Sequence, residues 1–113
     1  MPMTSELVQV PGAVAGFKFS PSGDVIESAV KEEEERLDEV TLDLLARICV
    51  ANRAIANMQA RGWEAISDMN GFFPVEGFTF IGLNLSVVTR GDQAVVLENS
   101  EADYDEAYRA LER

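Results

Sequence analysis

The residues that could do chemistry in this chain are few, because its 113 residues include no histidine and a single cysteine. A nucleophilic role for Cys49 would need a neighbouring base and a lowered thiol pKa. Histidine is the commonest such base, and Cys49 lies between the apolar residues Ile48 and Val50. We therefore interpret Cys49 as a small buried hydrophobic residue rather than a catalytic group.

Carboxylates are the other reactive group, and they are densest in the four glutamates at positions 32–35. Such a run could gather divalent cations, but its spacing matches no calcium-binding loop. Negative charge is stabilising near the N-terminal end of a helix, which favours a helix entry instead. Asp103, Asp105 and Glu106 have the same interpretation at a second helix start. The sequence therefore predicts no metal site and no cofactor.

One short segment, residues 67–70, combines a hydroxyl, a carboxylate and an amide, and two phenylalanines follow it. Turns use the same residue types to cap the backbone. A ligand site or partner-binding loop formed by Asp68, Asn70, Phe72 and Phe73 is the alternative interpretation. Because no other constellation is better placed for catalysis, we predict that the protein is not an enzyme.

Length and charge restrict the class of protein further. A chain of 113 residues with 47% hydrophobic residues predicts a single folded domain, residues 1–113. Its 20 acidic against 9 basic side chains give a net charge of -11, which disfavours nucleic acid as a partner. The N-terminus lacks the pattern of a signal peptide, and no apolar run is long enough to span a membrane. With one cysteine and therefore no internal disulfide, we expect a cytoplasmic protein.

The first half of the chain reads as a β-hairpin followed by a long helix. A turn at residues 20–24 separates apolar strands at 13–20 and 25–30. The helix is predicted to begin after Asp38 as its N-cap, or earlier within the glutamates, and to end before Gly62.

The second half alternates apolar segments with turns. It predicts strands at residues 63–69, 77–83 with a continuation at 85–89 after a bend, and 94–98. A terminal helix follows, with Ser100 as its predicted N-cap. The order strand–strand–helix–strand–strand–strand–helix places the chain in the α+β class.

The long helix is apolar over two neighbouring rows, although a helix with one buried face needs only about 100° of apolar surface. The rows are Leu44, Ile48, Ala51, Ile55 and Met58, and Leu42, Leu45, Cys49, Asn52 and Ala56. Either the helix is deeply set in its own domain or one row meets a second partner. The pattern leaves both interpretations open.

Several short segments give the chain a resemblance to the roadblock/dynein-light-chain family, and most closely to a small bacterial family of unknown function within that superfamily. The segments are the apolar start with Pro-Gly at residues 7–14, the hairpin turn at 19–24, Cys-Val-Ala-Asn at 49–52, Asn-Met-Gln-Ala at 57–60, Ser-Asp-Met-Asn at 67–70 and Ala-Asp-Tyr at 102–104. The resemblance covers residues 7–111. The glutamate run at 32–35 is longer than the family pattern leads us to expect.

The resemblance implies a fold and an assembly. The implied fold is a five-stranded antiparallel sheet with a long helix on one face and a short C-terminal helix. The implied assembly is a homodimer, in which the third strands pair edge to edge and the long helices pack together. The dimer interface is then expected at Ile55, Met58, Trp63, Ala65 and Ile66.

Roadblock-type proteins are typically non-catalytic, so the resemblance implies an adaptor or regulatory subunit of a cytoplasmic complex. The alternative is a regulator of a small GTPase that uses a composite surface of the dimer. A small-ligand binder or an enzyme is the third and weakest alternative. The implied partners are a second copy of the chain and a further protein.

Overall fold

The computed structural model describes residues 3–112, which form three α-helices and five β-strands. In chain order the elements are α1 (Thr4–Leu7), β1 (Ala13–Phe19), β2 (Val25–Val30), α2 (Glu39–Ser67), β3 (Gly77–Ile81), β4 (Leu85–Arg90), β5 (Gln93–Glu98) and α3 (Tyr104–Glu112), with a 3-10 turn at Asn99–Glu101 before α3. The expected α+β fold is confirmed.

The sheet has the order β2-β1-β5-β4-β3, and all its neighbouring strands are antiparallel. Side chains alternate between its two faces, so each face buries its own core. The long helix α2 covers one face, where Phe17 and Val96 are fully buried beneath it. Helices α1 and α3 cover the other face around Leu7 and Leu97. Strands β2 and β3 form the two open edges.

The predicted hairpin at the start of the fold is confirmed. Gly23 takes a positive φ of 89° in the turn, a conformation that glycine adopts without steric cost. The Asp24 N–H donates to Ser20 Oγ over 3.1 Å, and the Ser20 N–H donates to the Asp24 carbonyl over 2.8 Å. These bonds fix the reversal that pairs β1 with β2.

Asp38 is the N-cap of α2, as predicted from its position before the apolar rows. Its Oδ1 accepts the Thr41 N–H over 2.8 Å, which satisfies one of the free donors of the first turn. The same N–H lowers the pKa of the Asp38 carboxyl. The helix therefore begins at Glu39 and excludes the glutamate run.

The predicted strand at residues 63–69 is wrong, because α2 continues through Gly62 to Ser67. A glycine inside a helix costs only about 1 kcal/mol relative to alanine, so it need not end one. The helix ends where Asp68 takes a left-handed conformation, with φ 56°. Of the described helices, none is long and apolar enough to cross a membrane.

Two further boundaries differ from the prediction. Residues 82–84 are not a bend within one strand but the turn between β3 and β4, so the sheet still has five strands. Ser100 lies in the 3-10 turn and does not cap the terminal helix. Asp103 fills that role, because its Oδ1 accepts the Glu106 N–H over 3.1 Å.

The C-terminal part of α2 packs on a loop instead of the sheet. Asn57 Oδ1 accepts the Val75 N–H over 2.7 Å, just before β3 begins. Beyond that point α2 runs ten more residues, about 15 Å of helix. Glu64 in this overhang accepts the N–H groups of Gly71 and Phe73, so the loop at residues 68–76 is tied to the helix.

Candidate partner-binding surface

Helix α2 has two opposite apolar faces, of which the fold buries only one. Leu42, Ala46 and Cys49 on the inner face are at most 3% exposed. The outer face carries a second apolar row, which we call the α2 stripe. Its members are Val40, Leu44, Ile48, Ala51, Ile55, Met58 and Ile66. Of the two apolar rows in the sequence, the row with Leu42 and Cys49 therefore packs in the core, and the row with Leu44 and Met58 faces outward.

The α2 stripe is exposed along almost the whole helix. Val40 is 76% exposed, Met58 is 72% and Ile66 is 80%. Successive members are three or four residues apart, except for one gap across Gly62. They therefore lie within an arc of about 100° around the helix axis. Exposed apolar surfaces of this kind are typical of sites of interaction with other macromolecules.

The outer edge of β3 is a second apolar feature of the exposed surface. The Gly82 N–H donates to the Leu85 carbonyl, and the Gly91 N–H donates to the Glu76 carbonyl. Hydrogen-bonded pairs alternate along an antiparallel ladder, so the backbone groups of Gly77, Thr79 and Ile81 face away from β4. Beside them Ile81 is 64% exposed and Phe80 is 44% exposed. β3 is therefore a free, apolar edge strand.

The structure places the five residues expected at a dimer interface on α2, not on a strand. Ile55, Met58 and Ile66 belong to the α2 stripe, and Ala65 lies beside it, exposed like them. Trp63 is 59% exposed and lies at the flank of the stripe. The strand assignment is wrong, yet four of these side chains share one outward face.

The loop at residues 68–76 is built by contacts with α2. The Arg61 guanidinium lies over the Phe73 ring, 3.8 Å from its centre, so Phe73 is half-buried. Phe72 is 43% exposed beside it. Asp68 ends the helix with its backbone, and Asn70 is exposed. The proposed ligand or partner role of this loop stays a prediction.

Cys49 is set for packing and not for nucleophilic attack. The residue is 2% exposed beneath the sheet, and burial raises the pKa of its thiol to about 11. At neutral pH it is protonated and inaccessible, which is the opposite of a reactive cysteine. Within residues 3–112, no three acidic or cysteine side chains lie close enough together to hold a metal ion.

Comparison with known families identifies the chain. Residues 3–113 match the family model described as "Uncharacterized conserved protein (DUF2173)". The chain belongs to the DUF2173 family. No protein with a curated description matches it.

Solved structures show that the fold of this DUF2173 chain is the roadblock/LC7 fold. It is similar to an MglB structure described as having a tetrameric arrangement, with a TM-score of 0.74 and 15% identity over 96% of this chain and 79% of that one. The gliding protein MglB from Thermus thermophilus gives a TM-score of 0.69 and 15% identity, over 96% and 80% of the two chains. A roadblock/LC7 domain from Streptomyces avermitilis gives 0.68 and 17%, over 96% and 85%. The expected family resemblance is confirmed.

A groove in the DUF2173 chain adjoins the α2 stripe at its N-terminal end. It has a volume of about 340 Å³, and its lining includes Leu37, Leu45, Phe80 and Leu83. Leu83 at the tip of the β3–β4 turn is 94% exposed. Leu83 and the groove therefore add to the apolar surface provided by the α2 stripe and the β3 edge.

An ion-pair clamp holds the rim of this groove. Arg36 donates to Glu34 Oε1 over 2.6 Å and to Glu98 Oε2 over 2.7 Å, so it ties the segment before α2 to the end of β5. The hydrogen bond from Arg36 lowers the pKa of the Glu34 carboxyl to about 2. Of the four glutamates, Glu34 is thus held by Arg36.

Sequence reasoning missed the residues that complete this surface. Val40 extends the predicted row by one turn at a spacing of four, a signal that the sequence did contain. Phe80, Ile81 and Leu83 look like ordinary strand residues in sequence, and only the strand order shows that they lie at an open edge.

Proposed function

We propose that this DUF2173 protein is a homodimeric interaction module without chemistry of its own, acting as an adaptor or regulatory subunit in the cytoplasm. The observations that carry the proposal are the exposed α2 stripe and the free β3 edge. The lone buried thiol supports a reducing compartment. A two-fold symmetric dimer would use the same surface on both copies.

The directions of α2 and β3 support this arrangement. Thr41 and Leu45 near the start of α2 lie at the end of β3, whereas Asn57 lies at its beginning. The two elements therefore run antiparallel within one copy. Antiparallel pairing of β3 with its symmetry mate around Thr79 would place the two α2 helices side by side, also antiparallel.

The spacing of the α2 stripe matches such a helix pair. Halfway between Leu45 and Asn57 the stripe presents Ala51, which is small enough for two helices to approach closely. Around that point Ile48 would meet Ile55 of the second copy, and Leu44 would meet its Met58. Members on both sides of Ala51 are thus spaced at similar distances, as an antiparallel pair requires.

In the same dimer, the overhang of α2 from the second copy would fill the groove near the β3–β4 turn. Reversal about Thr79 carries the overhang of the second copy past the end of β3. There its Trp63 and Ile66 would reach the groove lined by Leu37 and Leu83. This contact would cover side chains that are more than half exposed in the single chain.

Proline at Ile81 tests the strand pairing. The Ile81 N–H faces away from β4, so Ile81→Pro removes an outward donor without breaking a bond inside the sheet. We expect the dimer dissociation constant, measured by sedimentation equilibrium, to rise at least about tenfold, because symmetry doubles the loss. The matched control is Ser28→Pro on β2, which removes an outward donor from the opposite edge. An unchanged constant in Ile81→Pro, or an equal rise in both variants, would contradict β3 pairing.

Regulation of a small GTPase is the second candidate function, favoured by the roadblock/LC7 fold. The acidic side chains concentrate outside the α2 stripe and the β3 edge, with seven acids against two bases in residues 27–39 and six against two in residues 98–113. A dimer would therefore present acidic margins to a basic partner surface, and its affinity would fall with salt.

Affinity capture from the native host separates the two candidates. The tagged protein and a monomeric variant would be compared, with bound proteins identified by mass spectrometry. A GTPase recovered only with the dimer favours regulation, and other proteins recovered only with the dimer favour an adaptor. Recovery of the same proteins by dimer and monomer would contradict a composite dimer surface in either function.

A further inference from the structure

The second open edge of the sheet, β2, lies at the opposite end from the β3 edge. The Lys31 N–H donates to the Val14 carbonyl, and the Phe19 N–H donates to the Asp92 carbonyl. These two bonds show which residues of β1 bond to β2 and which bond to β5. Gly16 and Lys18 bond to β2, so the backbone groups of Ser28 and Val30 on β2 face outward. β2 therefore offers a row of outward donors and acceptors to another strand.

A groove of about 330 Å³ runs between this edge and the N-terminal part of α2. Its floor includes Val25 and Leu42, and Ser28 lies along its wall. Ser28 is in register with Phe17, which packs beneath α2, so the Ser28 side chain also points to the α2 side. An extended chain paired with β2 would direct alternate side chains into this groove.

The groove is strongly acidic. Among its seven lining residues, Glu39 and Asp43 on α2 are carboxylates and none is basic. Arg47, one helical turn after Asp43, packs against Gly23 at the β1–β2 turn. Side chains that enter the groove beside the start of α2 therefore meet the carboxylates of Glu39 and Asp43.

We propose that β2 and the adjoining groove bind an extended, basic segment of a partner protein by strand addition. Main-chain hydrogen bonds to Ser28 and Val30 supply the pairing, and lysine or arginine side chains of the segment reach Glu39 and Asp43. A second copy of this chain does not fit the same site, because pairing β2 with β2 brings two sets of these carboxylates together. The acidic edge thus selects against self-association and for a partner of opposite charge.

The site is independent of the proposed dimer. Three strands separate β2 from β3, so the two edges lie about 19 Å apart, and neither shares a residue with the other. A dimer joined through β3 would carry one β2 edge at each end of a continuous ten-stranded sheet. Two such sites would allow a partner with two basic segments to bind with increased avidity.

A labelled, capped peptide of alternating lysine and valine, six residues long like β2, is a direct probe. We expect it to bind the protein with amide chemical-shift changes at residues 26–30 and slowed hydrogen exchange at Ser28 and Val30. A peptide of alternating glutamate and valine is the matched control and should not bind. Absence of binding by the lysine peptide, or shift changes confined to other elements, would overturn the proposal.

Two kinds of variant separate strand addition from simple charge attraction. Ser28→Pro removes an outward donor from the edge and should abolish peptide binding. Glu39→Gln with Asp43→Asn should weaken it about fivefold or more. The control pair Glu101→Gln with Asp105→Asn makes the same charge change near α3 and should leave binding unchanged. Full binding by Ser28→Pro, or equal loss in the two charge pairs, would overturn strand addition at this edge.

Discussion

Replacing Met58 by glutamate is expected to convert the protein from dimer to monomer. Met58 is 72% exposed in the single chain, so the glutamate costs the folded monomer little. In the proposed dimer it would be buried against the apolar Leu44 of the second copy. Each desolvated carboxylate costs about 2 kcal/mol or more, and symmetry counts it twice, so the dissociation constant should rise about a thousandfold.

Sedimentation equilibrium measures this change directly, and circular dichroism checks that the variant remains folded. Gln9→Glu is the matched control, because Gln9 is exposed next to α1, away from the α2 stripe, and gains the same charge. We expect the control to keep the dissociation constant of the unmodified protein. A folded Met58→Glu protein that stays dimeric would show that the α2 stripe is not the interface.

Replacing Gly12 by alanine is expected to destabilise the fold by about 3 kcal/mol. Gly12 has a φ of 82°, and a Cβ added there would lie 2.4 Å from the Glu101 carbonyl oxygen and 2.8 Å from its carbonyl carbon. Both contacts are backbone, so no flexible side chain can move aside. The clash would separate the start of β1 from the turn that precedes α3.

Gly91→Ala is the matched control for this effect. Gly91 also has a positive φ, 62°, but an added Cβ would meet nothing within 4 Å. Its cost should be that of the backbone conformation alone, about 1–2 kcal/mol. Urea unfolding at fixed protein concentration measures both variants. Equal losses would contradict the close approach of Gly12 to the Glu101 backbone.

Local signals were sufficient to predict the elements whose boundaries are set by their own residues. The turn at residues 20–24 and the cap at Asp38 depend on short-range hydrogen bonds, and both are confirmed. The end of α2 could not be predicted in the same way. Gly62 has the composition of a helix stop, but the loop that packs on Glu64 and Asn57 holds the next turns in helical form.

The candidate surface was predictable only in part for a related reason. Periodicity revealed a second apolar row on α2, but could not decide which row the sheet would cover. The β3 edge depends on strand order, which places β5 between β1 and β4 and leaves β3 outermost. Strand order is a tertiary property, so Phe80 and Ile81 have no local signature of exposure.

The most direct test of the proposed dimer is the molar mass of the purified protein in solution. Multi-angle light scattering at micromolar concentration should give twice the 12.4 kDa of one chain. The value should fall to one chain in Met58→Glu. A mass of 12.4 kDa for the unmodified protein at this concentration would contradict the dimer.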